Sequence, residues 1–222
     1  MKRILYDFLI LILFISLFLS FKNYFKEKKE VKIIENEIKI SEINSINDEI
    51  DKYKNKYSNN DIVGYLKIDS KINTLLVQGK DNKFYLNHLI NKKKNILGSV
   101  FIDYRVNLKK FSKIIIYGHS SERYDLPFNK LHDFLKENYS KKLQININNK
   151  IFNYELISIK ITNDNSHLKL NYNEIEWIKY LESLKQNNLY KNDFIIDKNM
   201  EVLVLQTCYK NKFLILSYRK VN

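Results

Sequence analysis

Eighteen residues near the N-terminus, Ile4–Phe21, are apolar except for Tyr6, Asp7, Ser16 and Ser20, and they follow Lys2 and Arg3. A helix that is apolar on every side has no face to turn to water, so this run does not read as a surface helix of the fold. At 1.5 Å per residue it reaches about 27 Å, close to the hydrocarbon thickness of a bilayer. Tyr24 and Phe25 follow as interfacial aromatics. A cleaved signal needs small residues at the third and first positions before the cut. The chain has no Ala, and bulky residues such as Phe18 surround Ser20. The expectation is an uncleaved membrane anchor over residues 1–25, N-terminus inside and the rest extracytoplasmic. Lys22, Lys26, Lys28 and Lys29 on the far side weaken the charge asymmetry behind that orientation.

The remainder is long enough for one domain and a modest appendage. At 45% hydrophobic and 14% aromatic residues the 222-residue chain builds a real core, which excludes global disorder. One Cys excludes an intramolecular disulfide and any multi-cysteine zinc site. The net charge is +13 (38 − 25): +1 on residues 1–21, +1 on 22–60, and +11 on 61–222. Such a domain suits an anionic partner, whether nucleic acid, membrane surface or cell wall, although a lysine-rich soluble surface reads the same way. Only four of the 38 cations are Arg, and no zinc-finger, Gly-rich phosphate loop or RNA-binding aromatic motif occurs. Nucleic acid is therefore not an expected partner.

Residues 26–60 read as a helical stalk. Ile43, Ile46, Ile50, Tyr53 and Tyr57 form one apolar stripe at three- and four-residue steps, predicted to pack on the domain C-terminal to it. Ser58-Asn59-Asn60 breaks the pattern and sets the boundary of a domain over 61–222. There the texture turns to short runs rich in Ile, Val, Phe and Tyr: 62–68, 72–77, 100–104, 113–117, 143–147, 152–161, 202–205 and 213–218. Residues 83–90, 128–139 and 174–186 read as helices, the second opened by Pro127. Eight strands without regular alternation predict a mainly β or α+β domain, a largely antiparallel barrel with peripheral helices.

Cys208 stands after the strand 202–205 in Leu205-Gln206-Thr207-Cys208. Residue chemistry alone leaves two roles open, a nucleophile or a small buried hydrophobe. A nucleophilic Cys needs a partner that takes or returns a proton. His119 follows Ile114-Ile115-Ile116-Tyr117 and Gly118, so it too ends a strand at a sharp turn. His88 and His132 fall on helices and suit surface or core roles; His167, among Asn163, Asp164, Asn165 and Ser166, reads as loop. The four His lack metal-ligand spacing, no acidic cluster reads as a calcium site, and no cofactor is required.

The order His119 then Cys208, within strand–Gly–His and Leu-x-Thr-Cys motifs, resembles the sortases, cysteine transpeptidases of Gram-positive cell walls. Three further stretches resemble class B: Asp61–Ile68 its first strand, Gln78–His88 the following helix, and Gly98–Arg105 the next strand. The connection from Thr162 to Phe194 resembles the class B insertion between the sixth and seventh strands. The resemblance covers residues 61–222 and implies an eight-stranded sortase barrel. It also implies that Cys208 attacks the carbonyl of a Thr in a sorting-signal peptide, with His119 as general acid and then base. The thioacyl product would pass to a peptidoglycan cross-bridge amine. Asn82, Leu86, Gln206 and Thr207 would line the substrate groove.

The sortase Arg at the start of the last strand aligns with Lys212. Arg219 lies seven residues further, about 24 Å along an extended strand and on the opposite face, so Lys212 is expected in the oxyanion role. Lys lacks the planar fork of Arg, and one lost oxyanion donor costs roughly 100–1,000-fold in rate. That departure keeps open a weak or inactive sortase-fold protein. The basic domain keeps open a tethered wall-binding module.

Overall fold

The computed structural model describes residues 2–37, 46–136, 141–190 and 192–221. The chain divides into two compact units, Met1–Glu37 and Ile38–Asn222. The first is one helix, α1 (Lys2–Glu37), and its stretch Tyr6–Lys32 is long and apolar enough to cross a membrane. Phe8, Leu11, Phe14, Phe18 and Phe21 are all exposed on it, as apolar side chains are on a helix surrounded by lipid.

The second unit opens with α2 (Ile46–Tyr57), which buries Ile50 and Tyr53. Ile43, the first member of the predicted stripe, lies outside the described residues. Ser58 ends the helix at φ 48, a left-handed conformation that stops propagation. Asn59 is fully buried: its amide donates to the Tyr85 hydroxyl at 2.9 Å and the Ile90 carbonyl at 2.6 Å. The break in the sequence pattern is thus a packed joint.

Eight strands close a barrel: β1 (Ile62–Ile68), β2 (Ile72–Val77), β3 (Phe101–Ile102), β4 (Lys113–Tyr117), β5 (Lys142–Ile147), β6 (Lys150–Thr162), β7 (Val202–Tyr209) and β8 (Lys212–Val221). Their order around it is β1-β2-β3-β4-β7-β8-β6-β5. Only β2 with β3 and β4 with β7 run parallel. Ile114, Ile116, Leu203, Leu205, Leu214 and Leu216 fill the interior. Ile115, Val202, Val204 and Ile215 point outward and are covered by Trp177, Tyr180 and Leu181 of α3 (Glu174–Ser183), which lies between β6 and β7. Burial on both faces explains why 114–116 and 202–205 are unbroken apolar runs. A capping box starts α3: the Asn173 side chain accepts from Glu176 N and Glu176 returns the bond.

Two predicted helices differ. Residues 83–90 hold only a 3-10 turn, Phe84–Leu86, because the carbonyls of Tyr85, Leu86 and Asn87 accept from Ser99 N, His119 Nε2 and Asn95 N. The predicted helix at 128–139 is a 3-10 segment, Pro127–Leu135, with Phe128 and Leu131 in the barrel core; residues 137–139 lie outside the described ones.

Candidate active site

The end of β7 carries the thiol. Cys208 lies inside the strand, not after it as the sequence suggests, because β8 continues the pairing with Cys208 opposite Phe213 and Tyr209 opposite Lys212. Its thiol is free and exposed. Leu203 and Leu205 face the interior, so alternation turns Val204, Gln206 and Cys208 outward, to the side covered further down by α3.

His119 arrives on the neighbouring strand. The parallel register pairs Ile115 with Val204 and Tyr117 with Gln206, where β4 ends; counted two positions further, it would set His119 across from Cys208. Bonds beyond the ladder hold that alignment: Gly118 N donates to Gln206 O at 3.2 Å, Thr207 Oγ1 to Gly118 O at 2.8 Å, and Ser120 Oγ to Cys208 O. Neighbouring strands are roughly 4.8 Å apart, so the backbones that carry Cys208 and His119 leave the barrel at the same rim. A Cβ at Gly118 would meet the Phe128 ring at 2.5 Å. Glycine there lets the core plug lie directly under the His119 strand.

The His119 ring has a defined orientation. Nε2 lies 2.7 Å from the Leu86 carbonyl, which can only accept, so the Nε2 proton is fixed and Nδ1 is the position open to a reacting group. Gly98, at φ +60, backs this carbonyl: a Cβ there would meet Leu86 O at 2.6 Å. Leu86 therefore contributes a backbone acceptor as well as a side chain that is 40% exposed.

The remaining expected residues divide. Asn82 is half-buried, its Nδ2 donating to Asp103 at 3.0 Å and its Oδ1 accepting from Tyr104 N at 3.0 Å. Gln206, on the same face as Cys208, meets His167 Nε2 at 2.6 Å. Thr207 is buried, with its hydroxyl bound to Gly118, and so ties the two strands together. Lys212 is exposed, one place out of phase with Phe213, the partner of Cys208; the pleat starts its side chain toward the opposite face from the thiol. Arg219 pairs with Val202 at the far end of β7 and donates to Glu155 at 3.0 Å.

Two residues were not marked out by sequence. His132 Nε2 donates to the Cys208 carbonyl at 2.9 Å, and its ring meets Tyr209 edge-on at 5.1 Å. Nothing in the amphipathic pattern around His132 signals this contact. His167 is buried rather than in an open loop. Burial pushes its pKa down, opposed by the bonds to Gln206 and the Asp164 carbonyl. Beside it Lys113 Nζ donates to the carbonyls of His167 and Lys169 and to the Tyr172 hydroxyl, at 2.8, 3.0 and 2.9 Å. Burial, aided by the Arg105 charge, pushes the Lys113 amine down to about 6. Among the described residues no group of three or more His, Cys, Asp or Glu could hold a metal ion.

No family model matches the chain. It is 29% identical over 157 residues to Sortase B of Staphylococcus aureus, covering 68% of this chain and 64% of that protein. The chain thus spans a little under two thirds of the curated relatives it matches. Its fold matches the crystal structure of Clostridium perfringens sortase B with a TM-score of 0.71 and 30% identity, over 78% of this chain and 99% of that one. A Bacillus anthracis sortase B structure matches with a TM-score of 0.76 and 25% identity, over 91% and 99%.

Proposed function

The chain belongs to the class B sortases, and on that premise we propose that it is a membrane-anchored cysteine transpeptidase, with α1 as a single-pass anchor and residues 61–222 extracytoplasmic. Its substrates are a sorting-signal peptide cleaved after Thr and an amine of peptidoglycan or its precursor. The observation that supports the reading is an exposed Cys208 on β7 tied at its carbonyl and at Thr207 to the Gly118–Ser120 segment that carries His119, whose Nε2 is held by Leu86 O.

The chemistry follows from those atoms. The Cys208 thiol gives its proton to His119 Nδ1, the thiolate attacks the Thr carbonyl carbon, and the C–N bond breaks as the leaving amine takes that proton from the His119 imidazolium. An amide is a poor electrophile with a poor leaving group, so nucleophile and acid are both required. The thioester then meets an incoming amine, which gives its proton back to Nδ1 as the C–S bond breaks. Nε2 stays on the Leu86 carbonyl throughout, so the ring need not flip between halves. Lys212 is assigned to the developing oxyanion. Its flexible stem must reach around the hairpin edge from an out-of-phase start, which makes it a weaker aid than an in-phase Arg.

A quenched peptide library randomised around Thr, supplied with and without triglycine as amine, tests this. Cleavage that yields a peptide–triglycine ligation product with wild type and none with Cys208→Ala is expected; no cleavage of any peptide contradicts it. A tethered wall-binding module, favoured by a cleft of about 650 Å³ that includes Lys109, Lys110, Lys150 and Lys220 in its lining, would instead bind anionic wall polymer. That binding would fall steeply with salt and be indifferent to Cys208→Ala.

A further inference from the structure

Beside the reacting pair lies a buried carboxylate with no part in the mechanism above. Asp103, just after β3, is fully buried. It accepts from Arg105 Nε at 2.9 Å and Nη2 at 2.7 Å, from the Tyr117 hydroxyl at 2.8 Å and from Asn82 Nδ2 at 3.0 Å. Burial pushes its pKa up, but the Arg105 side-chain and backbone donors, with Tyr117 and Asn82, outweigh it and hold the carboxyl below its ordinary value. An ionised carboxylate only accepts. The Tyr117 proton is therefore committed to Asp103, and the phenol oxygen, which the Arg105 guanidinium also approaches, can act toward a further group only as an acceptor. Asn82 is fixed from both ends, since its Oδ1 takes Tyr104 N; one Nδ2 hydrogen remains open. Tyr117 is half-buried, two residues before His119, and paired with Gln206.

We propose that Asp103 is a positioning residue for the peptide groove. By fixing the Tyr117 hydroxyl and the Asn82 amide it makes the groove wall accept a peptide N–H at Tyr117 and donate to a peptide C=O at Asn82. The assignment rests on the transpeptidase reading. Arg105 also donates to Leu168 O at 3.0 Å, so a purely structural role must be told apart from it.

Asp103→Asn, Tyr117→Phe and the double variant are compared using the fastest-cleaved peptide of the quenched library. Its Kd is measured on the Cys208→Ala forms, and Cys208 alkylation by iodoacetamide on the others. Each single variant is expected to raise KM and Kd tenfold or more. The double is expected to go no further than twofold beyond the larger single, because the Tyr117 hydroxyl is one of the two groups that Asp103 orients, and alkylation should stay within twofold of wild type. Singles within twofold of wild type, effects that multiply, or alkylation falling in step with KM overturn the assignment. Should Asp103→Asn fail to fold, Tyr117→Phe alone within twofold overturns it. A wild type that reacts while the variants keep its KM sinks Asp103 alone. One that binds peptide without reacting sinks the transpeptidase and leaves Asp103 to be judged on Kd. One that neither binds nor reacts sinks both.

Discussion

Cys208, Ser120 and His132 form one small assembly in which the Cys208 carbonyl takes two donors. Removing the thiol with Cys208→Ala should abolish peptide cleavage. His119→Ala should cost roughly 10²–10⁴-fold in kcat/KM, the usual worth of a positioned acid–base group. His132→Ala leaves the Ser120 bond in place and should cost about 1 kcal/mol in urea unfolding, with kcat/KM falling no more than tenfold; a loss equal to that of His119→Ala would make His132 the acid–base residue instead. Lys212→Ala should slow turnover about tenfold, less than the 100-fold or more of a well-aligned oxyanion donor, and Lys212→Arg should match or exceed wild type. Cys208 and His119 stand out in the sequence because each follows an apolar run that becomes a strand. The face of Lys212 is not, since it depends on where the β7–β8 hairpin turns: the tight Lys210–Asn211 turn sets Cys208 against Phe213.

The strands 62–68, 72–77 and 113–117 coincide with their predicted limits, because their apolar pattern is set by burial within the sheet itself. The segment 83–90 diverges, because tertiary donors claim the carbonyls that a helix would use. The β6–β7 connection is the least legible element. It is held through Lys113 and His167, a residue type pair that carries no pattern, reaching across 54 positions. Its protons give a signed expectation. The folded pKa of His167 lies below its unfolded value near 6.5, so the unfolded chain binds more protons as pH falls through that value. Acidification from pH 6.5 downward should therefore lower stability through His167, adding to the fall in the same direction that Lys113, held down to about 6, gives as pH drops toward that value. His167→Gln should flatten that limb in urea midpoints taken between pH 7 and 5; an unchanged slope would show that His167 does not supply it. At the other end of the barrel sequence, a chain starting at residue 61 loses the burial of Ile50 and Tyr53 and the Asn59 joint. It should be less stable than one starting at residue 46 by about 3 kcal/mol or more.

As a whole the molecule combines an apolar helix with a closed basic barrel, a combination suited to chemistry performed on substrates presented at a membrane surface. The full chain should sediment with membranes and residues 38–222 should stay in the supernatant, a split checked by fractionation. Charge says little about the proposed reaction, which would depend on two strands, parallel and adjacent in the barrel although 89 positions separate Gly118 from Thr207. Intact-mass spectrometry on the protein incubated with a Thr-containing sorting-signal peptide, without added amine, reads this most directly. Wild type should gain the mass of the acyl fragment on Cys208, and Cys208→Ala should gain nothing. A wild type that cleaves the peptide with no adduct at Cys208 even on rapid acid quench, or a Cys208→Ala variant that cleaves it equally well, would contradict the account.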